Sequence, residues 1–572
     1  MKNIKNIIYL LAVVGFIATS CDEDAFLHEV NPNAISADIF WENQGDAEAA
    51  LTTVYGALQF YTISGAGLGF SNLRSDMYAT NTFTPWVSWN DLNISDNHAL
   101  IGQIYAEPYI GIFRANQLIN NLPDIDDPNF DEEDKNAIMA QAKFLRAVYY
   151  FKTTNDFGGA VLTTSASGLK EDIHLPFSTI QQVTDSVIIP DLEFAVANLP
   201  KKWEGENLGR ATWGAAKAML GKTYLYNKEF EKAAKEFEEL LAEGLYSLVP
   251  DPLDNFKQDT EFNAESIFEV PFNAEYNGGT PNNLAFQVDN TAGGSGTETV
   301  NITRFYVPEA LGGYRTLLPT YFAHEVILSD SISGSTDHSS RINASIAPSN
   351  FEGLYYNKTS ADYPTKPWSF GETAYIKKYT NWNWQENEGG QGRSSINYRM
   401  IRLADVYLMY AEALLSQATP DVATAIVYID NVRKRAGVVT LHDYIDANGT
   451  IPQLHVSREA YGSRPEVTPT AANVLTHLRM VERPIELCFE GSRWNDLVRW
   501  GIVREMLDEQ KKVEDIRVAR FATNGGSGDN AAPLFIRGTF RLDYVNNVEA
   551  YNSATHDYLP IPTLEIQLNN GL

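Results

Sequence analysis

"ATWGAAKAMLGKTYLYNKEFEKAAKEFEELLAEGLYSL", residues 211–248, decides the fold. Leu220 and Gly221 are followed three residues after the glycine by Tyr224, and about one helix further on by Ala233 and Phe237. The small residues let two helices approach closely, and the aromatics fill the groove between them. A hairpin built this way cannot bury its apolar face alone, so it has to stack on others.

This spacing is the tetratricopeptide pattern. "AKFLRAVYYF" (142–151), "LADVYLMYAEALL" (403–415) and "ATAIVYIDNVRKRAG" (423–437) read as degenerate copies, so several hairpins stack into one solenoid-like slab. Outward from the repeats, "DAEAALTTVYGALQFY" (46–61) and "YIGIFRANQLINNL" (109–122) carry apolar residues at helical spacing. "DEEDKNAIMAQAKFLRAVYYFKTTNDFG" (131–158) starts with acids and ends at glycine, as helix-end electrostatics favour. Between the first two helices, residues 64–93 predict a long loop or short-strand region containing two tryptophans. Residues 251–398 are rich in Gly, Asn, Thr and aromatics, which predicts loops and short strands laid over the slab. Helices resume at 399–437 and 473–508, and the chain ends in an extended "HDYLPIPTLEIQLNNGL". The expected fold is mostly α, a tetratricopeptide-like helical repeat scaffold with a loop-rich, short-strand face.

With 73 acids against 44 Lys and Arg, the net charge of −29 repels phosphate backbones, so nucleic acid is not an expected partner. Two cysteines exclude a disulfide framework or a cysteine-rich metal site. Cys488, in the apolar "PIELCFEG", reads as a buried, inert thiol. Cys21 reads differently. Lys2 and Lys5 form a basic start, "IIYLLAVVGFIA" (7–18) is an apolar run too short to span a membrane, and Thr19 and Ser20 precede the cysteine. That is the layout of a bacterial lipoprotein signal, with Cys21 the residue that is lipidated. Acyl chains then hold the protein to a membrane, at ~0.8 kcal/mol per buried CH₂. The expected organisation is a signal peptide at 1–20, an acidic lipidated tether at 21–35 and a single unit at 36–572. That unit divides into a helical part (36–250), a loop-rich ligand-face part (251–398) and a C-terminal part (399–572).

Catalytic signatures are scarce: there is no HExxH, GxSxG elbow, P-loop, Rossmann glycine pattern or EF-hand loop, and no cofactor is expected. Aromatic residues set among polar ones in loops stand out instead. Sugars present apolar C–H faces and rings of hydroxyls, so a site for them needs flat aromatics together with Asn, Asp and Arg. Trp86, Trp89 and Asn90, with Arg74 and Asp76 from "LRSDMY" (73–78), form the leading candidate group; Tyr306, Trp382 and Arg393 come from the other loops. Trp41, Trp213, Trp494 and Trp500 fall in helical patterns and read as core. "RMVERPIELCFEGSRWNDLVRWG" (479–501) is dense in Arg, Glu and Trp, and reads as a helix pair locked by partly buried ion pairs rather than as a catalytic centre.

The chain resembles the SusD/RagB outer-membrane lipoproteins of Bacteroidetes. The resemblance rests on Cys21 with its acidic followers to Asp24, "IFW" (39–41), "YIGIFRANQLINNL" (109–122), "AQAKFLRAVYYF" (140–151) and "RLADVYLMYAEAL" (402–414). "IDNVRKRAG" (429–437), "ERPIELCFEGSRWNDLVRWG" (482–501) and "LPIPTLEI" (559–566) complete it; "NDFGG" (155–159) departs mildly from the family's usual step. The resemblance implies four tetratricopeptide-like units and a non-enzymatic role: binding an oligosaccharide at the cell surface and capping a SusC-type TonB-dependent transporter. It also implies attachment to the outer membrane through lipid, facing the cell exterior, with Asp22, Glu23 and Asp24 resembling the family's surface-export tract. Competing readings are a surface glycoside hydrolase, a peptide-binding member of the same family and a purely structural partner of the transporter.

Overall fold

The computed structural model describes residues 40–572 apart from 81–83, 166–173, 274–298, 308–311, 329–338, 349–350, 352, 363–373, 381–392, 454–464 and 524–546. The signal peptide, Cys21, the tether, and Trp368, Trp382 and Trp384 lie outside the described residues.

Eight helices build the scaffold: α1 Gln44–Gly56, α2 Ala99–Asn121, α3 Glu132–Phe157, α4 Ile189–Asn198, α5 Trp213–Tyr226, α6 Phe230–Ala242, α7 Leu403–Ser416 and α8 Val422–Ala436. Each packs on the next in the chain, from α1 on α2 through to α7 on α8. The predicted register is present in α5 and α6, where Leu220, Tyr224, Ala233 and Phe237 are all buried. Gly221 is the contact point: a Cβ on it would lie 2.6 Å from the Phe237 ring. The same device recurs between α2 and α3, where a Cβ on Gly111 would meet the Tyr149 ring at 2.4 Å. Helix ends follow the sequence signals. The Asp131 carboxylate accepts from the Asp134 N–H at 2.9 Å, and Gly158 stops α3 at φ +77°.

The middle of the chain adds strands in pairs. Ser266–Val270 runs antiparallel to Tyr398–Arg402, Tyr78–Thr80 to Leu317–Pro319, and Ile346–Pro348 to Ala374–Ile376. One apolar cluster extends from Ala47 to Leu559, and a smaller one gathers Val307, Leu318, Phe351, Tyr355 and Tyr375. Two expectations are corrected. The described residues of 64–93 form short helices (Tyr61–Ser64, Gly67–Ser71, Thr84–Asn90) around one short strand, and those at 64–80 are packed so deeply that no polar face remains to reveal helical period. The C-terminus is not extended, since Ser553–His556 and Thr563–Leu568 are helical turns set off by Pro560 and Pro562. Trp494 is core and Trp213 and Trp500 are half-buried, while Trp41 is half-buried just ahead of α1 rather than within a helix.

The 479–501 stretch is a buried ionic frame. Arg402 donates to Glu265 at 2.8 Å, Glu486 at 2.7 Å and Glu490 at 2.8 Å. Arg483 bridges Asp405 and Asp496, both at 2.8 Å, and Glu482 takes Arg341 at 2.8 Å together with Arg433. Such pairs gain little over an apolar core but are costly to break singly, so they fix geometry. Cys488 is buried, its Sγ donating to the Ile485 carbonyl at 3.3 Å, and burial pushes the thiol pKa up.

Candidate functional site

The leading sequence candidates are in the interior. Trp86 lies flat on Phe70, ring centroids 3.7 Å apart and planes 19° from parallel, and Trp89 is fully buried with its ring at 77° to that of His98. Asn90 Nδ2 donates to the Leu73 carbonyl at 3.1 Å. The Asp76 carboxylate accepts two hydrogen bonds from Arg493, at 2.9 and 2.6 Å. Arg74 sits 4.6 Å over the Trp494 ring, and its Nε donates to the Ser71 carbonyl at 3.1 Å. The hydroxyls of Tyr306 and Tyr78 share a hydrogen bond at 3.0 Å, and burial raises both tyrosine pKa values. All six are buried from the outer surface, none more than 4% exposed. Trp86 and Trp89, expected as loop residues that contact a sugar, are instead buried on the short helix Thr84–Asn90; flat aromatics and hydrogen-bonding side chains are also what an all-round-buried segment needs for packing.

They are nevertheless connected to the surface. From Trp86 the stack continues through Phe70 to Phe305, edge to face at 4.9 Å, and from Phe305 to Tyr314 at 5.8 Å. Tyr314 is 45% exposed, the outer end of this aromatic column. Its backbone is pinned to the short helix Ile302–Tyr306: the Tyr314 N–H donates to the Arg304 carbonyl at 2.6 Å, and Thr316 N–H to the Phe305 carbonyl at 2.9 Å. The backbone on either side of Tyr314 is left-handed at Gly312 (φ +88°) and Arg315 (φ +43°). Arg304 lies 4.3 Å from the Tyr314 centroid, covering part of one face and bringing hydrogen-bond donors to its edge. Arg393, half-buried, joins this region because its neighbour Ser394 exchanges two 3.0 Å backbone hydrogen bonds with Val300. Tyr314 thus offers a rigid apolar ring beside guanidinium donors, the combination that a hydroxyl-rich ring with a C–H face requires. Tyr314 was missed as a candidate because "GGY" carries no signal besides its place at the end of the Gly-rich run. Among the described residues, no three His, Cys, Asp or Glu side chains are grouped to hold a metal ion.

The architecture is a helical-repeat scaffold with an irregular face of loops and paired short strands, not a barrel or a sandwich. The chain belongs to the SusD family, whose profile matches residues 264–572; a second profile, described as starch-binding and associating with the outer membrane, matches residues 26–225. It is similar to a SusD-like protein of Formosa agariphila, 25% identical over 99% of this chain and 97% of the relative. Among solved structures it resembles a SusD superfamily protein from Bacteroides vulgatus (TM-score 0.69, 25% identity, 93% of this chain and 98% of that one). The fold is also that of surface glycan-binding protein A from Bacteroides thetaiotaomicron, solved in complex with laminarihexaose (TM-score 0.65, 18% identity, 92% of this chain and 98% of that one).

Proposed function

We propose that this protein is a non-catalytic, lipid-anchored glycan receptor of the outer membrane's external face, which takes up an oligosaccharide and delivers it to a SusC-type TonB-dependent transporter. The observation that carries the ligand assignment is Tyr314, an exposed ring held rigid by the aromatic column beneath it and flanked by Arg304. Trp382 and Arg393 are the further proposed contacts, and Cys21 the anchor, resting on the "IATSCDED" layout. The family's descriptions, starch binding and outer-membrane association, support both halves of the reading.

Isothermal titration against a panel of oligosaccharides, with peptides as a parallel arm, tests it. At least one glycan should bind, and Tyr314→Ala should weaken it about tenfold, as expected for an aromatic anchor contributing on the order of 1.4 kcal/mol. Unchanged affinity in Tyr314→Ala removes this site, and binding of peptides alone replaces the ligand class. New reducing ends after incubation with a bound glycan would establish the hydrolase alternative instead.

A further inference from the structure

The scaffold encloses a second space that shares no lining residue with the Tyr314 face. It is a cavity of about 140 Å³ between α3, α5, the strand Tyr398–Arg402 and the turn at 487–495, room for on the order of ten waters. Its mouth is framed by half-buried Phe151, Lys152, Lys222, Tyr226 and Ser492. Ile63, Leu68, Val148, Met219 and Leu487 make part of its wall apolar.

Most charges in the wall are matched. Lys152 donates to Asp156 at 2.7 Å, Arg399 pairs with Glu269 at 2.9 Å, Arg402 holds Glu490, and Asp405 is held by Arg483. Two are not. Lys222 and Arg74 both line the cavity, and neither has a carboxylate within 4.0 Å among the described residues. The Lys222 ammonium has only the Phe151 and Tyr226 rings, at 5.9 and 5.8 Å. Arg74 bonds backbone carbonyls of Ser71 and, at 3.5 Å, His556. Burial lowers the pKa of both, Arg74 to about 10, with Asp405 and Asp496 acting on Lys222, and Asp156 and Asp557 on Arg74, as partial counterweights. A chain of net charge −29 has no shortage of carboxylates, yet none closes on either group.

We propose that this cavity is a binding site for a small oxyanion-bearing ligand of monosaccharide size, a carboxylate or sulfate held by Lys222 and Arg74 with its apolar side against Ile63, Leu68 and Met219. The ligand supplies the charge that the fold omits. This assignment does not depend on what Tyr314 binds.

The test is titration and thermal denaturation of the soluble mature chain with sodium glucuronate, sodium sulfate and glucose, each at about 10 mM and matched ionic strength, since a ligand that binds only the folded state raises the melting temperature. Glucuronate should bind and raise the melting temperature, glucose should not, and Lys222→Met should weaken glucuronate at least tenfold. Tyr314→Ala should leave this binding intact. A sulfate response equal to that of glucuronate identifies the oxyanion alone as the determinant; glucuronate without sulfate identifies a sugar acid. Should Lys222→Met not fold, Lys222→Gln serves the same comparison. The proposal is overturned if no anion binds, if glucose matches glucuronate, or if the lysine variants keep wild-type affinity.

Discussion

At the scale of single residues, Trp86 and Tyr314 belong to one aromatic column and do opposite things. Trp86 is buried beneath the column, so Trp86→Ala removes packing and leaves a cavity. It should cost about 3–5 kcal/mol of stability, read as a lowered melting temperature, with any loss of glycan binding tracking the unfolded fraction. Tyr314 is 45% exposed where it meets the column at Phe305, so Tyr314→Ala should change stability by about 0.5 kcal/mol or less and leave the circular dichroism spectrum unchanged. The two variants together separate a supporting residue from a contacting one. The sequence pointed to Trp86 at the buried end of this column, whereas the proposed contact, Tyr314, stands at its exposed end. Trp86, Trp89 and Asn90 look like ligand residues because packing a segment on all sides and gripping a sugar call for the same side chains. Only the three-dimensional position of the 312–316 turn distinguishes them.

At the scale of elements, the helix pairs depend on two glycines at points of closest approach. Gly111→Ala puts a methyl group 2.4 Å from the Tyr149 ring, and Gly221→Ala puts one 2.6 Å from Phe237. Both glycines are helical, so alanine gains about 1 kcal/mol of helix propensity, but overpacking opposes it by about 1–3 kcal/mol. Each variant should therefore melt below wild type, and Gly221→Ala with Phe237→Leu should recover part of the loss, which differential scanning calorimetry would detect. These elements were legible because a tetratricopeptide hairpin writes its contact points as residue types at fixed spacing. Helix α3 was legible to within a residue, from Asp131 to Gly158, because caps are local. The 64–93 and 556–572 segments were not legible. Their conformation is set by partners hundreds of residues away, such as the Asn72 amide donating to the Gly491 carbonyl at 2.8 Å.

At the scale of the whole molecule, the charges set opposing pH limits. Burial works to raise the Glu486 pKa, but Arg435, Arg402 and Arg341 outweigh it and hold the carboxyl at about 2; Glu482, Glu412 and Glu490 are likewise held below the ordinary range by their arginines against burial. Groups depressed in the folded state stabilise it above their unfolded pKa, ~4.3, and that contribution is lost as pH falls toward 2. Glu107 and Glu261 run the other way, raised by burial to about 7 and about 8, so their contribution fades as pH rises from ~4.3 through those values. Melting temperature against pH should accordingly pass through a maximum between ~4.5 and 7, with the acid limb shallower in Glu486→Gln and the alkaline limb shallower in Glu107→Gln. The same ionic frame governs the order of events in time. Asp76 and Arg493 are 417 residues apart, and Arg402 waits on Glu486 and Glu490 from near the end of the chain. A chain delivered amino terminus first therefore presents Asp76 and Arg402 before these partners are available. High contact order of this kind is slow to complete. The frame can close only once residues 482–499 are available, so removing them would leave Asp76, Arg402 and Asp405 without their partners there.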